Sequence, residues 1–458
     1  MIMITPAAAT ETLTPSADSG ESCAVERSRA PSAMRWGLLA ALLVAPLAFG
    51  AVQPWAWTGM LIAAFVLLLL WTISGAWQGA LTIHWSPLYL PPTMLLALGI
   101  AQLYGRVTLD MYATREALLK LVMVLIYFFL AGQIFAEAEM TAWRELGLTV
   151  TLYAFALGIF AILQLFSSHN LIYWRVKSDG WIFGPYVNHN DYAGLMEMLL
   201  PISALYVLSR PRSDPRRLFV ASSLCVPLTS VLLSGSRGGV VSVLIEVLTL
   251  GWILWRRSGG NGGSYSVMLS VVLAATVLFL WMAPKSAVTR LSGLADLKRA
   301  TEVTLVQRKL ATRDTLRIFR DHPFVGAGLG SFETVFPQYR TFPTDLYWAH
   351  AHNDYAEALA DTGAAGAMLI IFALVIFFRL AFSGLDRKLH SETGWVRLGA
   401  AIGCCGLLVH SFVDFNLHIP ANAAWFGVCA ALGTTACAKA GARNRMRIMR
   451  IRQCRLVN

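Results

Sequence analysis

The chain has 458 residues, of which 56% are hydrophobic and only 14% are charged, and its formal net charge is +11. A water-soluble domain carries about 25% charged residues, so this chain lacks the polar side chains needed to coat a surface in water. The composition therefore excludes a soluble globular protein and predicts one embedded in a membrane. For its basic residues, anionic membrane lipids are the expected partner, and no nucleic acid is expected.

Apolar runs long enough to cross about 30 Å of hydrocarbon follow one another along the chain. In order they are Trp36–Val52, Trp55–Ile73, Leu88–Tyr104, Ala117–Ala136, Leu146–Phe166, Tyr192–Leu208, Leu218–Leu233, Val240–Trp255, Val267–Ala283, Ala364–Leu380, Val396–Phe412 and Ala423–Ala438. Backbone polar groups in lipid must be satisfied inside the protein, so these runs predict helices. The predicted fold is an all-α polytopic membrane protein of about 12 transmembrane helices. The first run is expected to remain as an uncleaved helix, because the second follows within a few residues.

Arginine and lysine in the short connections predict the orientation of these spans. If the N-terminus is cytoplasmic, every basic cluster is cytoplasmic as well; the clusters are Arg27–Arg35, Arg210–Arg217, Arg256–Arg257, Arg387–Lys388 and Arg443–Arg455. Residues 1–34 are polar and predict a disordered cytoplasmic tail, and residues 441–458 predict a basic cytoplasmic tail. The seven cysteines fall in predicted spans or tails, so no disulfide is expected.

On this topology the segment 284–355 is external, and it alone among the external segments is large enough for a small subdomain. Within it, Thr304–Arg320 predicts a helix, which His322-Pro323 ends and a glycine-rich turn over 326–330 follows. One side of this helix is basic and typical of a solvated face; it carries Lys309, Arg313, Arg317 and Arg320. Arg308 points elsewhere, among less polar neighbours, where an arginine usually has a partner.

A polar cluster at 410–418 closes the predicted span Val396–Phe412 on the external side. Polar clusters at 184–193, 234–239 and 350–356 open three predicted spans that run from outside to inside. The helix N-termini there carry unpaired N–H groups and a positive partial charge, which favour phosphate. Arg237 stands at one of them, flanked by glycines that let an anion approach the backbone. This pattern favours a lipid pyrophosphate site. The alternative for Ser234–Gly239 is a tight turn between helices, with Arg237 reaching toward lipid headgroups.

Two further patterns leave alternatives open. The pentapeptide His-Asn-Asp-Tyr-Ala occurs at 189–193 and at 352–356, either as two similar elements flanking one site or as residues that simply cap helices well. Glu197 and Glu246 lie within spans, where a carboxylate is either functional or paired inside the bundle. We interpret Asp354 and Asp361 as a cap and a helix-surface residue, and expect no metal site.

Three motifs, in this order, carry a family resemblance. Ser234-Gly-Ser-Arg-Gly-Gly239 follows a span; Arg308 precedes Asp321-His-Pro-Phe-Val-Gly-Ala-Gly-Leu-Gly-Ser-Phe332; and His352-Asn-Asp-Tyr-Ala-Glu-Ala-Leu leads to Asp361-Thr-Gly363 and Gly366. The pattern resembles the O-antigen ligase/Wzy polymerase superfamily of bacterial envelope glycosyltransferases. The resemblance runs from roughly Gly184 to Pro420, so we expect a catalytic region at 184–440 preceded by N-terminal transmembrane helices at 35–183.

The resemblance implies a metal-independent, inverting glycosyltransferase of the GT-C kind in the bacterial inner membrane, without a cofactor. Its donor would be a glycan on undecaprenyl pyrophosphate, and its acceptor a glycan or lipid A-core sugar hydroxyl on the periplasmic face. The family's pyrophosphate-binding arginines correspond to Arg237 and Arg308, and its histidine, as base or acceptor positioner, corresponds to His352. The residues expected to contact substrate lie at the same helix starts: Asn188, Asn190, Ser236, His350 and Asn353.

Several alternatives stay open. The motifs do not separate a ligase from a polymerase, and a protein serine or threonine is a third conceivable acceptor. A transporter or flippase of lipid-linked oligosaccharide fits about 12 spans numerically, but transporters bind substrate near mid-membrane, whereas the polar clusters here lie outside. A non-catalytic scaffold is the remaining alternative. His350 and His189 lie in settings similar to that of His352, whose assignment as base depends on its place before Asn353.

Overall fold

The computed structural model describes residues 32–78, 81–178, 180–211, 213–214, 216–258, 263–282 and 305–435. Within these ranges the chain is almost entirely helical, as the apolar runs predict. Most of the predicted tails at 1–34 and 441–458 lies outside the described residues, and so does the first part of the predicted loop, 284–304.

Up to residue 282, the described residues form ten α-helices and one short β-hairpin. The hairpin pairs β1 (Leu171–Ile172) with β2 (Val176–Lys177). The helices are α1 (Ser32–Leu47), α2 (Pro54–Trp77), α3 (Leu90–Tyr104), α4 (Met111–Ala136), α5 (Met140–Ser167), α6 (His189–Ser209), α7 (Arg216–Ser223), α8 (Cys225–Ser234), α9 (Arg237–Ser258) and α10 (Gly263–Met282). The predicted run Leu218–Leu233 is covered by α7 and α8, which meet at Leu224.

The remaining described helices begin at residue 305. They are α11 (Leu305–Asp321), α12 (Phe332–Val335), α13 (Asp354–Phe382), α14 (Leu385–Leu389), α15 (Glu392–His410) and α16 (Pro420–Thr434). Short 3-10 turns lie at Phe49–Ala51, Pro87–Tyr89, Phe336–Gln338 and Asn416–His418. The predicted helix Thr304–Arg320 is confirmed as α11.

Seven of the described helices are long and apolar enough to cross a membrane, namely α2, α4, α5, α6, α9, α13 and α15. The chain is therefore an all-α polytopic membrane protein. The other predicted spans coincide with shorter helices or with helices outside this group, such as α1, α3 and α16. The count of about 12 spans stays a prediction.

The centre of the bundle is formed by α6 and α15, which are its most buried long helices. Glycines on α15 let the two backbones approach closely, as small residues do in membrane bundles. A Cβ atom added at Gly399 would lie 2.6 Å from Cα of Ile202, and one at Gly403 would lie 2.8 Å from Cα of Met198. This contact brings the polar end of α15 beside that of α6.

Residues 305–353, which we call the loop subdomain, have a hydrophobic core of their own. In this core Phe332 stacks on Phe336 at 4.7 Å, and Trp348 packs edge-on against Phe342 at 5.2 Å. The described part of the loop thus has a core as a small subdomain would, while the external loop 284–355 itself stays a prediction. Trp348 also contacts the ring of His352 at 5.5 Å, so this core supports the segment that enters α13.

The glycine-rich turn at 326–330 fastens the loop subdomain to α13. Gly326 has a φ of 78°, and a Cβ atom there would lie 2.3 Å from the backbone of Asp361, so only glycine fits. The prediction that Asp361 lies on the helix surface is wrong, because its side chain is buried and accepts the N–H of Gly330 at 2.7 Å. At this docking point α13 is interrupted at Gly363, whose φ is 61°.

Candidate functional site

Three of the residues predicted to contact substrate are helix caps. The side chain of Asn188 accepts the N–H of Asn190 at 3.0 Å at the start of α6. Ser236 accepts the N–H of Gly239 at 3.1 Å at the start of α9, and Asn353 accepts the N–H of Ala356 at 3.0 Å at the start of α13. Such caps satisfy one of the N–H groups that a helix start leaves unpaired. Their polar atoms have a structural role, and contact with substrate stays a prediction for each of them.

The two copies of His-Asn-Asp-Tyr-Ala are not equivalent. In the second copy the cap is Asn353, its second residue, whereas the first copy is capped by Asn188, which precedes it. Asn190, the counterpart of Asn353, is instead buried inside α6. Asp354, predicted as a cap, is the first residue of α13 instead. Helix capping therefore accounts for the second copy but not for the first, and the two alternatives for the repeat stay open.

The connection between α15 and α16 (residues 411–419) carries a fully buried carboxylate, Asp414. His352 Nδ1 lies 3.2 Å from Asp414 Oδ1. Arg308 Nη1 lies 3.7 Å from Asp414 Oδ2 and donates a hydrogen bond to the carbonyl of Val413. Two residues distant in sequence, from α11 and from the start of α13, therefore meet at one acidic group. The prediction that Arg308 has a partner is confirmed.

The start of α9 lies against the same connection. A Cβ atom added at Gly238 would lie 2.4 Å from the His410 ring and 3.0 Å from Cγ2 of Val413. The glycine that follows Arg237 is thus required by this close approach as well as by any ligand. Arg237 itself is exposed. Arg308, His352 and the glycine after Arg237 therefore border the connection 411–419 or its neighbour His410.

The pKa of His352 favours the neutral imidazole, which is the form that can accept a proton. Burial lowers the pKa of His352 and Arg308 lowers it further, while the hydrogen bond to Asp414 opposes both, and the net pKa is below the usual 6.5. Burial alone would raise the pKa of Asp414, but Arg308, His352 and His410 hold it well below its usual range. An ionised Asp414 accepts the Nδ1–H of a neutral imidazole, which leaves Nε2 as the basic atom.

The backbone of His352 has an uncommon conformation. Its φ is 52°, in the left-handed region that residues other than glycine seldom adopt. Trp348 and Phe415 contact the imidazole edge-on at 5.5 and 4.9 Å. The ring is thus held between two aromatic side chains, and the side chain keeps 14% of its surface exposed.

Comparison with known families adds an observation on this region. Residues 222–371 match the family model described as O-antigen ligase. This match supports membership of the O-antigen ligase/Wzy superfamily. No curated protein matches it significantly. The matched region contains Arg237, Arg308 and His352, but it ends before Asp414, the residue that joins the last two.

A second polar cluster lies beside the first. His350 Nδ1 lies 2.8 Å from Glu357 Oε1, and His418 Nε2 lies 3.2 Å from the same oxygen. His418 Nδ1 lies 2.8 Å from Asp354 Oδ1. Burial alone would lower the pKa of His418, but Glu357 and Asp354 raise it to about 9. Of these four residues, sequence analysis selected only His350 for the site.

The sequence left two roles open for Glu197, functional or paired. In the structure its carboxylate is paired. Its Oε1 lies 2.8 Å from His410 Nδ1, and both side chains are fully buried between α6 and α15. Because the His410 ring lies against Gly238, this pair is next to the segment Ser234–Gly239 that carries Arg237. Glu246 is buried too, and its Oε1 makes no hydrogen bond to any described residue. Its role stays open between the two alternatives.

The sequence alone does not indicate that Asp414 belongs to the site, and the reason can be stated. The polar residues between His410 and His418 form a visible cluster, but no spacing within it is typical of a known site. The partners of Asp414 come from α11 and from the start of α13, so its importance depends on tertiary contacts. The only available signal was a carboxylate in an apolar stretch at the end of a predicted span.

Proposed function

We propose that this protein transfers a glycan from undecaprenyl pyrophosphate to a sugar hydroxyl, with inversion at the anomeric carbon. The carrying observation is that Arg308 and His352 contact one buried carboxylate, Asp414, on a connection that also lies against Gly238, the residue after Arg237. Cations for a diphosphate and a base for a hydroxyl would thus lie at one site. The O-antigen ligase match supports glycosyl transfer as the reaction class.

The two arginines would bind and stabilise the leaving group. As the bond between the anomeric carbon and the pyrophosphate oxygen breaks, negative charge grows on that oxygen. Guanidinium groups stabilise such charge through short, charge-assisted hydrogen bonds. Asp414 and the Val413 carbonyl position Arg308, while the exposed Arg237 is presented at the start of α9. The positive partial charge at the start of that helix would add to the same field.

His352 would act as general base. Its Nε2 takes the proton of the acceptor hydroxyl while the hydroxyl oxygen bonds to the anomeric carbon, and undecaprenyl pyrophosphate departs. Asp414 keeps Nδ1 protonated and stabilises the imidazolium that forms, as a carboxylate does for a catalytic histidine in hydrolases. The bond formed, the bond broken and the proton transferred are all accounted for, so the transfer step as proposed uses no metal ion.

We further propose that the site faces the periplasm in a bacterial inner membrane. The support is the distribution of basic clusters, which places the starts of α6, α9 and α13 outside if both termini are cytoplasmic. The acceptor would be either a lipid A-core sugar, for a ligase, or the glycan of a second lipid-linked chain, for a polymerase. A flippase is the rival function, and the same experiment distinguishes it.

The test is reconstitution of the purified chain in liposomes with an undecaprenyl-pyrophosphate oligosaccharide. Release of undecaprenyl pyrophosphate together with a longer glycan, or a glycan on added lipid A core, supports transfer. Movement of the donor across the bilayer without bond formation would instead establish the flippase. Arg237→Ala and Arg308→Lys should lose activity, whereas Arg313→Ala, on the exposed face of α11, should keep it. An active Arg237→Ala variant would remove that residue from the site.

The same reconstituted protein identifies which histidine acts as the general base. His352→Gln, His350→Gln and His189→Gln are compared singly, with His169→Ala as the control. His169 is exposed and, like His352, has a positive φ, so it controls for removing a histidine at such a backbone position. Loss confined to His352→Gln supports the assignment. Equal, mild losses in all three would show that none of them is the base.

A further inference from the structure

His350, Glu357 and His418 each offer one ligand atom, and these three atoms lie within 4.8 Å of one another. The residues come from three separate segments: the loop before α13, the first turns of α13, and the 3-10 turn before α16. Glu357 is buried, with 2% of its side chain exposed, whereas His350 and His418 expose 27% and 29%. The cluster is therefore closed on the protein side and open on the other.

The donor set is one that zinc prefers. Tetrahedral zinc binds imidazole nitrogen and carboxylate oxygen at about 2.0–2.2 Å, which places neighbouring ligand atoms about 3.3 Å apart. The observed separations from Glu357 Oε1 are 2.8 Å to His350 Nδ1 and 3.2 Å to His418 Nε2. Two histidines and one glutamate with an open side would leave a fourth position for water.

A neighbouring carboxylate orients one of these ligands. Asp354 Oδ1 accepts the Nδ1–H of His418 at 2.8 Å. Metal-bound histidines usually donate their other N–H to a carboxylate or carbonyl, which fixes the ring and directs the free nitrogen to the ion. Asp354 is itself held by the backbone, since its N–H donates to the carbonyls of Ser411 and Asp414. The cluster thus has both a ligand set and a supporting residue.

We propose that His350, Glu357 and His418 bind a zinc ion, oriented by Asp354. The ion would join the loop before α13 to the connection 411–419, the two segments that carry His352 and Asp414. Phe415 lies between the two clusters, stacked on His350 at 4.6 Å and edge-on to His352 at 4.9 Å. The zinc ion is a clamp on this region and takes no part in the transfer step, so the proposal stands or falls independently of the proposed function.

The test is metal binding to the full chain in detergent or nanodiscs. The protein is purified through a tag without histidines, stripped with a chelator and titrated with ZnCl2 by calorimetry, and its zinc content after dialysis is measured by mass spectrometry. We expect one zinc ion per chain. Glu357→Gln and His418→Gln should each weaken binding at least about tenfold, and Asp354→Asn about 10- to 100-fold.

A matched control exists elsewhere in the chain. His84 Nε2 lies 2.8 Å from Glu137 Oε1, a histidine–glutamate pair of the same length that is not part of any three-ligand group among the described residues. His84→Gln should leave zinc binding unchanged. Zinc should also raise the melting temperature of the wild type but not that of Glu357→Gln.

Two results would overturn the site. One is a wild-type chain that binds no stoichiometric zinc; the other is zinc binding that survives Glu357→Gln and His418→Gln. In either case the cluster is an imidazolium held between two carboxylates. If Glu357→Gln elutes as an aggregate in size-exclusion chromatography, His350→Gln, which alters a partly exposed side chain, provides the decisive measurement.

Discussion

His352 and Asp414 are joined by a hydrogen bond of 3.2 Å that links the loop entering α13 to the connection leaving α15. The carboxylate is fully buried, and its other oxygen faces Arg308 at 3.7 Å. One acidic side chain therefore orients both the proposed base and one of the proposed phosphate-binding groups. The predictions below test what this relationship contributes.

Replacing Asp414 with asparagine should reduce kcat by about 10²- to 10⁴-fold, because the amide no longer fixes the Nδ1–H tautomer of His352 or stabilises its charged form. KM for the donor should change less than kcat. Glycan transfer by Asp414→Asn is measured in liposomes, beside Asp345→Asn, which alters an exposed aspartate of the loop subdomain. Near wild-type turnover in Asp414→Asn would refute the orienting role.

Arginine substitutions should distinguish charge from geometry. Arg308→Lys keeps the positive charge but loses the planar fork that binds two phosphate oxygens, so kcat/KM should fall about 10²-fold. Arg308→Ala should lose more, since it also leaves the buried Asp414 without its ion pair. Both are compared with Arg313→Ala by donor-consumption assays. Equal activity of the lysine and wild-type chains would show that charge alone suffices at this position.

The rate should depend on pH through His352. Its pKa lies below 6.5 in the folded protein, and only the neutral imidazole accepts a proton. The value of kcat/KM should therefore be constant near neutral pH and fall as the pH drops through a midpoint below 6.5. Profiles between about pH 4.5 and 8 check this, with His169→Ala expected to keep the wild-type profile. An acidic limb centred above 6.5 would contradict the lowered pKa.

Gly238→Ala should destabilise the protein by about 1–3 kcal/mol, because the added methyl group would overlap the His410 ring. It should also reduce transfer, since Arg237 precedes this glycine. Gly59→Ala is the control, because a Cβ atom there meets no neighbour within 4 Å. Thermal unfolding in detergent measures both variants. A Gly238→Ala chain as stable as Gly59→Ala would show that α9 and His410 are not held together.

Local patterns were sufficient for much of the fold. The end of α11 follows from its own residues, since a proline followed closely by several glycines is a strong local signal for the end of a helix. The partner of Arg308 was expected from its less polar neighbours, although the sequence did not show which residue it would be. By contrast, Asp361 was placed on a helix surface, because nothing local indicates that the glycine turn at 326–330 would cover it.

The sequence by itself determined the membrane character and the helical segments, and it predicted Arg237, Arg308 and His352 as site residues, since hydropathy and short motifs are properties of neighbouring residues. Tertiary structure alone decided that Arg308 and His352 meet at Asp414, that Gly238 packs against the same region, and that His350, Glu357 and His418 converge. Such convergence depends on how α6, α9, α11, α13 and α15 pack, and burial gives a charge its partners only after those helices have met.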